Sequence, residues 1–318
     1  LTVGTFALLV SIGIALIPLV ALSDFWVISP SSDPAVMILT FVSLAYLSDA
    51  IYARSALGQD AVVAVAAGVI AVSMRPLMAF FLISMVAVVF LLWWRTRQTE
   101  QSAMTHSRVN RVSWLWLLAI TITLAVVQSL RDYRLSGWLQ YPLAFVSFDV
   151  PWKAANPTES QLSTLRYARD PERMHDVTLG WQWIPSWIER LPSQWEFALI
   201  CVLVVVVVAI WVLPHSGSHR QFLFPEIASA APAALTIPIW FLFTPPSFRF
   251  AWGPIFGLLA VLIGWGLFAI TTSERQTANW VRFIPSIALV LGSVAVLGVV
   301  GYSAVARLDL SGSVEKHT

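Results

Sequence analysis

Residues 61–94 read AVVAVAAGVIAVSMRPLMAFFLISMVAVVFLLWW. Arg75 is the single charge in this stretch, and Pro76 follows it. A helix crosses the hydrocarbon core with about 20 mostly apolar residues. Leu77–Trp94 nearly meets that length by itself, while Ala61–Met74 is short. Proline cannot continue a helix and pushes its predecessor out of helical geometry. The spacing therefore predicts a hairpin of two helices, or two tightly connected spans, broken at Arg75-Pro76.

Working outward, the same texture recurs. Apolar runs fill Thr2–Leu22, Pro34–Ala53, Val112–Leu130, Phe197–Leu213, Glu226–Phe243, Trp252–Ile270 and Phe283–Val305. Of 318 residues, 58% are hydrophobic and 11% charged, and mean hydropathy is +0.76. Soluble domains carry roughly 25% charged residues, so the solvent of this surface is lipid. The expected fold is all-α: a polytopic transmembrane bundle of about nine spans with one large, partly helical outer loop. The expected divisions are N-terminal transmembrane helices (1–130), a Trp-rich loop (131–195), C-terminal transmembrane helices (196–305) and a polar tail (306–318). A net charge of +2 gives no reason to expect a nucleic acid partner. The partner the composition does call for is membrane lipid.

Lys and Arg favour cytoplasmic loops. Arg54, the group Arg95, Arg97, Arg108 and Arg111, then Arg220, and Arg275 with Arg282 fall in one set of alternating loops. The other set of short loops holds only Arg75 and Arg249. This puts the N-terminus inside, and the C-terminus and the 131–195 loop outside. Trp93, Trp94, Trp114, Trp116, Trp195, Trp252 and Trp280 lie near span ends, where aromatic belts form.

The outer loop holds Trp138, Trp152, Trp181, Trp183, Trp187 and Trp195 among charges and turn formers. A disordered linker is poor in aromatics, so this loop is expected to fold. Ser160–Arg169 has helical spacing up to Pro171. Trp183, Ile184, Trp187, Ile188 and Leu191 form a stripe suited to a membrane interface. Between these signals and the preceding span lie Gly137-Trp138-Leu139-Gln140-Tyr141-Pro142 and Phe148-Asp149-Val150-Pro151-Trp152-Lys153. Aromatic faces beside charged groups suit a sugar, making Tyr141, Asp149, Trp152 and Lys153 candidate ligand residues. The alternative is structural: rings anchoring the loop, and Asp149 paired with Lys153 or capping a turn.

Asp33-Pro34 reads as a helix start, with the acid at the cap and proline at the first position. Arg75 and Arg249 lie at span ends on the side whose short loops are otherwise nearly uncharged. Each could snorkel to headgroups or clamp the phosphate of a lipid-linked substrate. Phosphate-loop, dinucleotide and zinc-protease motifs are absent from the sequence. The histidines lack ligand spacing, and Cys201 is the single cysteine, so no metal site is assigned. No cofactor is called for, with a divalent metal left open.

Ser32-Asp33-Pro34, Met74-Arg75-Pro76 and Pro245…Arg249-Phe250, each leading into an apolar span, resemble elements of the GT-C superfamily of polytopic membrane glycosyltransferases. The 137–152 stretch is similar to one in related bacterial multi-span proteins. The resemblance implies a lipid-phosphate sugar donor, transfer at the outer face of a bacterial inner (plasma) membrane, and a catalytic acid in an outer loop. Asp24 and Asp33 are the acids in position for that role. In these enzymes the acid lies well upstream of the Asp33-Pro34 type of helix, so the chain is expected to be the C-terminal part of such a transferase. A polymerase of the O-antigen type and a transporter or flippase are the rival expectations.

Overall fold

The computed structural model describes residues 1–21, 32–100, 111–139, 146–154, 157–170, 181–212, 224–244 and 246–272. They form α1 (Val3–Ala21), α2 (Asp33–Tyr52), α3 (Gln59–Met74), α4 (Met78–Glu100), α5 (Arg111–Ser136), α6 (Pro157–Arg169), α7 (Ile184–Arg190), α8 (Trp195–Val212), α9 (Phe224–Phe243) and α10 (Trp252–Thr272). Single turns of 3-10 helix lie at Leu191–Ser193 and Phe248–Phe250. Apart from an isolated bridge between Trp138 and Ser147, regular structure among the described residues is helical.

The protein is an all-α, multi-span membrane bundle. Among the described residues, five helices are long and apolar enough to cross a membrane, or six if α7 and α8 form one span bent by 80°. The expected nine crossings exceed this. The Val3–Leu16 part of α1 and the whole of α3 are apolar but shorter, and Phe283–Val305 lies outside the described residues. The hinge at Arg75 is as expected. Its backbone is extended (φ −143°, ψ 113°) and ends α3, the geometry a following proline imposes.

α2 and α10 form the centre. α2 packs on α1, α3, α9 and α10, and α10 packs on α1, α2, α8 and α9. The approach of α1 to α10 requires glycine: a Cβ on Gly264 would lie 2.8 Å from the Ala7 backbone. Lipid-depth hydroxyls are returned to backbone carbonyls, as a solvent without hydrogen bonds demands. Ser43 Oγ donates to Ala64 O at 2.7 Å and joins α2 to α3, while Thr40 and Ser48 bond within α2. α5 stands apart, packed chiefly on α3.

The bundle has two chemically different ends. One, the arginine end, gathers the start of α1, the end of α2 and the α3, α5 and α9 starts. There Trp114 Nε1 donates to Leu57 O at 3.3 Å, and Arg95 stacks on Phe224. The other, the loop end, carries the start of α2, the α3–α4 turn, the end of α5, and the α9–α10 connection.

Candidate functional site

At the loop end, α2 begins at Asp33, with Pro34 in its first turn. The structure corrects the expected cap. Ser32 holds the cap position and makes no side-chain cap bond, while the Asp33 carboxylate forms an ion pair with Arg75. Arg75 Nε also donates to Ser32 Oγ at 3.3 Å. The acid is drawn away from capping because a guanidinium at bonding range is the stronger partner for a carboxylate.

Arg75 is largely withdrawn from solvent, and Asp33 is buried. The guanidinium of Arg75 lies 4.6 Å from the centre of the Phe250 ring, and that of Arg249 lies 4.8 Å from the same ring. Burial, and secondarily the charge of Arg249, lower the Arg75 pKa to about 10. Arg75 therefore stays protonated at neutral pH, and the two cations feel one another. Asp33 offsets one of them. Arg249 is exposed on its turn, so the cluster presents positive charge outward.

The turn carrying Arg249 is held from below by indoles. Trp187 Nε1 donates to Pro246 O at 2.9 Å, and Trp240 Nε1 to Ser247 O at 3.2 Å. Trp187 also packs on Phe241 and Phe248, and Trp183 on Phe241. Trp183 and Trp187 are buried. This corrects the expected interfacial stripe: those two rings enter the protein core, whereas Ile188 is exposed. The distant residues Phe241 and Phe248 supply an apolar socket that outcompetes the lipid interface.

Arg169 and Arg190, which sequence reasoning did not single out, lock this part of the loop down. Arg169 Nη2 donates to Leu242 O at 3.0 Å at the end of α9, and its guanidinium lies 4.8 Å from the Trp183 ring centre. Burial lowers the Arg169 pKa. Arg190 Nη2 donates to Arg169 O. The available signal was basic residues in the last turns of α6 and α7, where they serve free carbonyls.

The other candidates sit elsewhere. Residues 146–154 fold back on the end of α5: Phe148 N donates to Gly137 O and Ala154 N to Ser136 O. Phe148 and Trp152 pack on Tyr133. Lys153 Nζ donates to Ser147 Oγ at 3.0 Å and lies 5.2 Å from the Trp138 ring centre; it is not salt-bridged to Asp149. Asp149 and Trp152 are exposed. The structure thus gathers Asp33, Arg75 and Arg249, and sets Asp149, Trp152 and Lys153 on the end of α5. Asp24 and Tyr141 lie outside the described residues. Among the described residues, no group of three or more His, Cys, Asp or Glu side chains is placed to hold a metal ion.

A family model described as a domain of unknown function, DUF8201, matches residues 4–256. No curated protein and no solved structure matches the chain.

Proposed function

The chain belongs to the DUF8201 family, and from its site we propose that it binds the phosphate of a lipid-linked sugar and acts as a membrane glycosyltransferase. The single observation carrying this reading is the convergence of Arg75 and Arg249 on one phenylalanine ring, with Asp33 paired to the buried member. Two guanidiniums and one carboxylate leave a net cation at a helix-end surface. That charge suits a phosphate placed at headgroup depth. The reading includes nine crossings, a bacterial plasma membrane, and the loop end facing away from the cytoplasm.

In this mechanism the phosphate takes up hydrogen bonds from Arg249 and then Arg75. Arg75 loosens from Asp33, whose carboxylate becomes available to an acceptor hydroxyl. The acceptor oxygen bonds to the sugar's anomeric carbon as its proton passes to Asp33. The bond from that carbon to the phosphate oxygen breaks, and its electron pair leaves on the phosphate. The arginines stabilise that charge. Trp152 and Asp149 are exposed on the end of α5, apart from the arginine cluster, and this reading assigns them to the acceptor or sugar.

The test uses the full chain in phosphatidylcholine nanodiscs and a polyprenyl-phosphate hexose. Arg249→Ala should weaken binding by about 1.5–3 kcal/mol, the worth of a charged hydrogen bond. Binding equal to that of the unsubstituted protein would remove the phosphate site. A second reading, lipid flipping or transport, draws on Pro232 and Pro238 inside α9 and on the buried Glu226 at its start. Prolines within a span and buried acids are features of transport paths, although α9 itself is continuous. Movement of the intact lipid across the bilayer, with no transferred sugar, would select it.

A further inference from the structure

A second site lies between α5 and the α3–α4 hairpin. There the helices enclose a cleft of about 570 Å³. On α5 its wall is the stripe Thr121, Leu124, Ala125, Gln128, Asp132 and Ser136, one residue set per helical turn. At 1.5 Å per residue this stripe is roughly 22 Å long. Opposite it stand Val69, Val72, Leu82 and, nearest the loop end, Ser73, Met74 and Pro76. Apart from Thr121, the polar residues of the cleft gather toward the loop end, beside Met74, Pro76 and Leu135, and Arg131 also borders it there.

Its shape follows from how α5 is fixed. Trp114 ties the arginine end of α5 to Leu57. Most of the rest of the helix is exposed, and the cleft lies between its loop-end half and the hairpin. A bilayer fills such a gap with hydrocarbon, but hydrocarbon does not suit what lines this one. Gln128 Nε2 donates to Asp132 Oδ1 at 3.1 Å, and Asp132 is buried. Both residues lie on the loop-end part of the wall, at the level where headgroups rather than alkyl chains are their neighbours. They are well matched by hydroxyls.

We infer that this cleft is a binding site for one membrane lipid with a phosphate-bearing, hydroxylated headgroup. The tail lies along Val69, Leu82 and Leu124. The headgroup hydroxyls meet Gln128 and Asp132, and the phosphate meets Arg131. The inference goes beyond sugar transfer and does not require it.

The probe is phosphatidylglycerol with a photoreactive diazirine in its tail, carried in phosphatidylcholine nanodiscs with the full chain. Labels are expected on the cleft-lining residues Val69, Val72, Leu82, Thr121, Leu124 and Ala125. Unlabelled phosphatidylglycerol should compete, and phosphatidylcholine should not. Gln128→Leu should lower labelling roughly fivefold, the size of one lost hydrogen bond. Ala125→Trp should fill the cleft and abolish labelling; if that variant fails to fold, Gln128→Leu decides alone. Arg249→Ala should leave cleft labelling unchanged, so loss of the arginine site and loss of this one are read separately. Equal labelling by a phosphatidylcholine probe, labelling spread onto Val126, Val127 and Leu130, or indifference to Gln128→Leu would each mean ordinary annular lipid and overturn the inference.

Discussion

One helix, α2, carries an aspartate at each end, and the two are used in opposite ways. At the arginine end, Asp49 accepts from Gly4 N at 2.7 Å and from Thr2 Oγ1 at 2.9 Å. Both partners are neutral and belong to the start of the chain, so this acid staples α1 to α2. At the loop end, Asp33 faces the cation Arg75, with Arg249 just beyond it. A neutral staple is best left closed. A charged pair beside a second, exposed cation can be opened by a ligand that offers its own negative charge. Residue type does not separate these roles; the partners do.

The largest expected effect comes from breaking the charged pair on one side. Asp33→Ala leaves Arg75 buried without its carboxylate and should cost about 3–5 kcal/mol of stability. Adding Arg75→Ala should recover much of that loss, because the stranded charge goes with it. Thermal or denaturant unfolding in detergent micelles measures both. A double variant no more stable than Asp33→Ala alone would show that the pair is not coupled as described.

Asp49→Ala should cost less, about 1–3 kcal/mol, since its partners are neutral donors. Gly4→Ala should act in the same direction: its Cβ would lie 2.5 Å from Asp49 Oδ2 and 2.4 Å from Ala45 O. If Gly4→Ala is neutral in the same unfolding assay, the close contact between α1 and α2 is wrong.

Trp187→Phe keeps the ring in its socket and removes the bond to Pro246 O. A cost of about 1 kcal/mol is expected, with weaker phosphate binding because the Arg249 turn loosens. Unchanged binding would separate the indole bracket from the site. Smallest of all, Trp152→Ala should leave stability within about 0.5 kcal/mol, as for exposed positions generally. It should lower affinity for the sugar-bearing probe while sparing the unglycosylated polyprenyl phosphate. Equal losses for both probes would remove Trp152 from the sugar side.

Much of the frame was legible in the sequence because lipid allows few backbone solutions. Long apolar runs had to be helices, and Arg75-Pro76 had to break one. The site was legible only in part. Asp33-Pro34 looks the same in sequence whether the acid caps its helix or pairs with a distant arginine, and only packing of α2 on α3 decides. Trp183 and Trp187 showed their helical spacing, yet the socket they enter is built by Phe241 and Phe248, far along the chain. Local periodicity marks an apolar face without saying whether protein or lipid covers it. Arg169 and Arg190 carried no signal beyond their place in the last turns of α6 and α7; their acceptors, Leu242 O at the end of α9 and Arg169 O, are fixed by packing. The cleft beside α5 had no local signal at all, because its walls come from α5 and from the separate α3–α4 hairpin.

The comparison between the two ends of α2 is tested most directly by ligand-induced stabilisation. Thermal midpoints of the unsubstituted protein, Asp49→Ala and Arg249→Ala would be measured with and without polyprenyl phosphate in nanodiscs. The expected result is the same upward shift for the first two, from different starting midpoints, and little or no shift for Arg249→Ala. An undiminished shift in Arg249→Ala, or its loss in Asp49→Ala, would contradict the assignment of the loop end as the site that receives the phosphate.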